Sequence, residues 1–117
     1  MATYSKQLLS GSTNGKAIKV AASATPGTTI HTAVSGTSSF DEVWLYAHNT
    51  SSSAVKLTIE WGEATAPDGN IEINIGAEGT GLILVTPGIL LQNGLVIKAF
   101  AGTANVINIF GYVNRIA

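Results

Sequence analysis

From Val55 to Trp61 the chain alternates without a break: Val55, Leu57, Ile59 and Trp61 are apolar, while Lys56, Thr58 and Glu60 between them are polar. A period of two puts one set on each face of a pleated strand, so the segment is predicted to be a half-buried β-strand. The same rule assigns Ile71, Ile73 and Ile75 of "NIEINI" to a core face and points Glu72 and Asn74 outward. Nowhere does an i, i+3, i+4, i+7 pattern run for ten residues without Gly, Pro or a β-branched cluster interrupting it. Helix beyond a single turn is not expected.

Strands rich in β-branched and aromatic residues are predicted over 17–22, 28–34, 42–49, 54–61, 70–75, 81–86, 95–101 and 105–113. Gly, Pro, Asn and Ser clusters separate them. "NTSSS" at 49–53 and "GTAN" at 102–105 read as tight links closing two hairpins. "TPG", at 25–27 and again at 86–88, reads as Pro and Gly in the central positions of a type II turn, and "APDGN" at 66–70 as another turn. No unit recurs at a fixed period, which excludes solenoids and propellers. Eight short strands so punctuated predict an all-β, two-sheet β-sandwich with jelly-roll wiring. An immunoglobulin-like sandwich is the second choice, its cysteine pair around a buried Trp being absent.

The 117 residues allow one domain, placed at 16–117, and leave 1–15 as a polar N-terminal arm ending in "GSTNG". Tyr4, Leu8 and Leu9 are its possible anchors on a neighbouring subunit. A 12.0 kDa chain is expected to fold to a surface of about 6,000 Å², hiding roughly two-thirds of what the unfolded chain exposes. Several strands are apolar on both faces. "GLILV" at 81–85 is one, and in the last strand Phe110 and Tyr112 oppose Ile107, Ile109 and Val113. The outer faces of such strands need a cover, and with few residues left for loops a second subunit is the expected one.

Charged residues are only 11% of the chain, about half the usual share, and the formal net charge is −1. Ten serines and thirteen threonines carry the polarity instead. Six scattered basic residues offer no footprint for a phosphate backbone, so nucleic acid is not an expected partner. The absence of cysteine rules out disulfides and thiolate chemistry. No apolar run reaches the ~20 residues of a membrane span, and the opening "MATYSKQLLSGSTNG" lacks the apolar core of a secretory signal. The expectation is a chain made in a cytoplasm, with no membrane partner.

Candidate chemistry is sparse. A metal held by His31 and His48 with Asp41 or Glu42 is not expected, because the spacing lacks the recurring intervals of known zinc sites, and each histidine is expected on the outer face of its strand. Asp68, Asn70 and Glu72 alternate in "DGNIE", a pattern better read as a turn entering a strand than as a calcium loop. Glu60 and Glu72 are expected to face solvent, which leaves no carboxylate pair for glycoside hydrolysis. "GAEGTG" lacks the Lys and Ser or Thr of a phosphate loop, and no G-x-S-x-G elbow is present. No catalytic residue, cofactor or metal is predicted, and the sequon at Asn49 reads as turn composition. Trp44 and Tyr46 share a face, with His48 continuing the row, either as a stacking platform for sugar rings or as a packed contact. The contact is preferred, because Val43, Leu45 and Ala47 make the other face apolar too.

Three stretches together, the polar arm "MATYSKQLLSGSTNGKAIKV", the central "VWLYAHNTSSSAVKLTIEWG" and the ending "LLQNGLVIKAFAGTANVINIFGYVNRIA", make the chain resemble the small jelly-roll decoration or cement proteins of tailed bacteriophage heads. The resemblance lies in architecture and texture across nearly the whole chain. It implies a homo-oligomer, typically a trimer, that binds the major capsid protein of the assembled shell on the virion exterior and has no enzymatic activity. The contact residues to be tested are Tyr4, Leu8, Leu9, Trp44, Tyr46, Phe100, Phe110 and Tyr112. The alternative is a glycan-binding or receptor-binding module of a phage tail.

Overall fold

A computed structural model describes residues 2–117. Nine strands follow one another: β1 (Tyr4–Leu8), β2 (Ile18–Lys19), β3 (Thr28–Thr32), β4 (Phe40–Asn49), β5 (Val55–Trp61), β6 (Asn70–Ile75), β7 (Ile83–Leu91), β8 (Val96–Ala101) and β9 (Ile107–Ile116). A single 3₁₀ turn, Glu78–Thr80, lies between β6 and β7. All the strand pairings are antiparallel. One sheet runs β1–β9–β4–β7 with β2 also on β9, and the second runs β3–β8–β5–β6. The two pack face to face as a β-sandwich.

The wiring is that of one long hairpin rolled up. With β5 and β6 at its tip, β4 pairs with β7, β3 with β8, and β2 with β9. Further ladders between β4 and β9 and between β5 and β8 then seal the rolled ribbon into two sheets. This is the jelly-roll arrangement. The β1 and β2 segments lie along successive lengths of the same edge of β9, interrupted by an excursion over residues 9–17. The expected arm is therefore extended, but Tyr4–Leu8 is hydrogen-bonded to the sandwich as an edge strand, and all its side chains are exposed.

Alternation decides what the core contains. Val43, Leu45 and Ala47 of β4 and Ile107, Ile109 and Val113 of β9 face Leu57 and Ile59 of β5 and Ile97, Ala99 and Ala101 of β8, all buried. Burying each large aliphatic side chain contributes about 1.5–3 kcal/mol. The total surface of 5938 Å² agrees with the value expected from mass.

Four of the turn readings are corrected. "NTSSS" and "GTAN" do not close hairpins; each carries the chain from one sheet to the other, β4 to β5 and β8 to β9. The two sheets share one core, so alternation looks the same whether a turn folds a ladder or crosses the sandwich. The hairpin is instead β5–β6, closed by residues 62–69, where Trp61 N–H donates to the Gly69 carbonyl. Nor is 86–88 a chain reversal: Pro87 and Gly88 lie within β7, where the register against β4 shifts between Val43 and Trp44. As an edge strand β7 tolerates a residue without an N–H. At 25–27, Gly27 does not take the positive φ that a type II turn requires.

Candidate functional site

The outer face of the first sheet collects most of the aromatic residues. Strand β4 sends Glu42, Trp44, Tyr46 and His48 outward, and β9 sends Asn108, Phe110, Tyr112 and Asn114. Register places Trp44 opposite Tyr112 and Tyr46 opposite Phe110. On one flank β7 sets Leu84 beside Tyr46, and on the other β1 sets Leu8 beside Tyr112. Leu82 is 55% exposed, Leu8 54%, Leu84 44% and Phe110 36%. Leu8, Leu84 and Phe110 thus expose large apolar side chains across neighbouring strands of one sheet, with Leu82 just before β7.

The row through Trp44 is fixed in place. Its ring is near-parallel to that of Tyr112, 12° between planes and 6.4 Å between centroids, and Lys6 Nζ lies 5.2 Å from the Tyr112 centroid. On its other side Trp44 leans over Gly88, where an added Cβ would come within 2.9 Å of the indole. Gly88 has a φ of +73°, so glycine suits the site in two ways. Beneath the row, a Cβ on Gly111 would fall 2.1 Å from the Trp44 carbonyl oxygen, so only glycine lets β9 approach β4 here. Trp44 Nε1–H and Asn114 Nδ2–H both donate to Glu42 Oε1, at 2.9 and 3.1 Å. Those two bonds, Trp44 first, hold the Glu42 carboxyl below its usual range against a smaller opposing effect of burial.

Of the residues expected to make contacts, Leu8, Trp44, Tyr46, Phe110 and Tyr112 meet on this face, and Tyr4 lies at its far end opposite Ile116. Leu9 does not belong with them. It is 1% exposed and part of the core, because the chain turns inward after β1. Phe100 sits on the other sheet, opposite Thr58, and is not part of the face. Leu84 of β7, and Leu82 just before that strand, were not among the expected contacts, although the doubly apolar "GLILV" had already marked the segment.

His48 and Glu72 lie on outer faces as expected, but His31 does not. It is 1% exposed, and Asp41 beside it is fully buried. The His31 Nε2 lies 2.8 Å from Asp41 Oδ2, and His31 Nδ1 accepts from the Ser10 backbone N–H at 3.0 Å, which makes the ring a neutral Nε2–H tautomer. Arg115 holds the same carboxylate through Nε at 2.8 Å and Nη2 at 3.1 Å, and Val34 N–H adds a fourth bond. Burial pushes Asp41 up, but the hydrogen bonds from Arg115 and His31 and the charge of Arg115 outweigh it and leave its pKa lowered. Ser, His and Asp meet here, yet they do not form a nucleophile and base. The Ser10 Oγ accepts from Thr32 N–H at 2.7 Å and the imidazole nitrogen is taken by an amide.

Glu60, also expected outside, is 1% exposed: its two oxygens accept from Thr25 Oγ1 and from Gly27 N–H, tying the 25–27 loop down over the second sheet. It shares a cleft of about 230 Å³ with Glu63 and Lys98. Two further concavities of about 300 and 290 Å³ lie elsewhere on the surface. All three are at or below the smallest size of ordinary ligand pockets, about 300 Å³. Among the described residues no group of three His, Asp or Glu side chains is placed to hold a metal, and no helix is long and apolar enough to cross a membrane. Asn49 is buried, its amide donating to the Ser53 and Ile75 carbonyls and its oxygen accepting from Ser51, so the sequon asparagine organises the β4–β5 crossing.

Comparison with protein-family models, with curated proteins and with solved structures returns no match.

Proposed function

We propose that this chain is a non-enzymatic structural subunit of a virus particle, a head decoration or cement protein that binds the assembled capsid shell as a homo-oligomer. The observation that carries the reading is the continuous aromatic and aliphatic face of the first sheet, on a chain with only 11% charged residues. From Glu42 to His48 across four strands its footprint is roughly 450 Å², from strand spacings of about 4.8 Å and rises of about 3.4 Å. A specific interface uses about 800 Å² per partner, so one such face makes a weak contact alone. An oligomer presenting several copies overcomes this through effective concentration, and binding only the assembled shell stabilises that state by mass action.

A glycan-binding module would use the same aromatic residues, but sugar stacking needs a free ring face. Tyr112 lies between Lys6 and Trp44, and Trp44 between Tyr112 and Gly88, so the rings are engaged with each other. Light scattering after size exclusion, followed by mixing with assembled shells, tests the proposal. It expects a trimer or other closed oligomer that co-sediments with shells, and a stable monomer that never binds them would sink it.

A further inference from the structure

The cluster around His31 has a property that its structural role does not require. The N-terminal segment is held to the sandwich by a short set of contacts: Leu9 in the core, Gly11 N–H to the Ile30 carbonyl at 2.9 Å, Thr32 N–H to Ser10 Oγ at 2.7 Å, and Ser10 N–H to His31 Nδ1 at 3.0 Å. Outward of these, β1 is held by its ladder to β9, with every side chain exposed. One of the anchoring bonds thus depends on a lone pair that disappears when the ring takes a second proton.

We propose that His31 is a proton-operated latch on the N-terminal segment. Protonation of Nδ1 converts the acceptor into a donor, sets N–H against N–H at Ser10, and displaces residues 9–12 together with β1. The charged groups facing the ring are Asp41 of β4 and, through it, Arg115 of β9. The N-terminal segment meets the ring through the Ser10 backbone, and the residue paired opposite His31 on β8 is the apolar Ile97. The opened state has a free Nδ1 and the latched state does not, so the opened state binds the proton more tightly. Acid must therefore shift the equilibrium towards it. Asp41 stays ionised through this change because its own pKa is lowered. Release uncovers the β9 edge from Tyr112 to Ile116 and frees a strand able to pair with another sheet edge.

The test is residue-resolved amide exchange by NMR on the intact chain between about pH 8 and about pH 5, the span in which histidine ordinarily changes charge. The His31 ring nitrogens are followed in the same samples. Once His31 gains its second proton, protection at Ser10, Gly11 and Thr32, corrected for intrinsic exchange, is expected to fall by up to tenfold per pH unit, the limit for one linked proton. Leu45 and Val113 should keep theirs. His31→Gln, which retains a donor towards Asp41 and cannot be protonated, should show no such fall. A ring that stays neutral to about pH 5 overturns the proposal, as does a ring that is protonated without loss of protection at Ser10. Loss at Ser10 only in step with Leu45, which is global unfolding, overturns it equally. The wild-type measurement decides even if the variant fails to fold.

Discussion

The two sheets are built alike on the inside and differ on the outside. Facing the core, both present Val, Leu, Ile and Ala in strict alternation. Outward, the second sheet carries Lys56, Thr58, Glu72, Asn74 and Lys98 around one aromatic, Phe100, while the first carries Trp44, Tyr46, Phe110, Tyr112 and Leu84. Their ion pairs differ in the same way. Lys56–Glu72 on the second sheet is about half exposed at both ends, with side-chain accessibilities of 54% and 47%, whereas Asp41 in the first is fully buried beneath Arg115. The lesson is that the outward half of an alternating strand distinguishes the two faces: the second sheet is mostly polar outward, with Thr58 and Glu60 buried there, and the first is aromatic and aliphatic.

Charge placed on each face in turn breaks or sharpens that contrast. Tyr46→Glu combined with Phe110→Glu is expected to cost about 4 kcal/mol of association with assembled shells, near a thousandfold in Kd at about 2 kcal/mol for each aromatic. Phe100→Glu on the second sheet should leave shell binding intact. Co-sedimentation of wild type and the two variants with shells decides, and equal loss from both faces would end the distinction.

Asp41→Asn should destabilise the fold by about 3 kcal/mol, the low end for a buried pair because Arg115 remains 30% exposed. Urea unfolding measures it. The same group sets the acid response. The folded-state pKa of Asp41 lies below its ordinary value of 3.8, so its contribution is present above about pH 4 and is lost as pH falls through the lowered value. Wild type should therefore lose more stability between about pH 4 and about pH 2 than Asp41→Asn does. The smallest effect belongs to Lys56→Ala, at most about 1 kcal/mol, because its partner Glu72 is solvated.

How much of this was legible in the sequence follows from the range of the forces involved. Alternation is local, so β5 and β6 were readable to within a residue, and so were the outward positions of Trp44 and Tyr46. Asn49 and its serines correctly signalled a turn. Which sheet receives the chain after that turn depends on partners far along the sequence, and the reading as a hairpin failed there. Glu60 and His31 were misplaced for a related reason. Each is buried because a loop or segment roughly 20 to 35 residues away supplies its hydrogen bonds, at Gly27 and at Ser10. Leu9 looked like an exposed anchor beside Leu8, since two adjacent leucines on a strand point opposite ways and neither announces which is inside.

The rolled hairpin also orders events in time. Strand β9 lies between β1 and β4 in the first sheet, yet it is the last of the nine strands to leave the ribosome. Until it emerges, β1, β2 and β4 lack their shared neighbour, and β4 and β7 together present an open edge and a bare aromatic surface to the crowded cell. The β5–β6 tip can close early because its pairs are near in sequence, whereas Tyr4 must wait for Ile116. Nascent chains of this protein should thus be most prone to clumping just before β9 emerges, and a chaperone that shields the aromatic face in that interval would raise the yield.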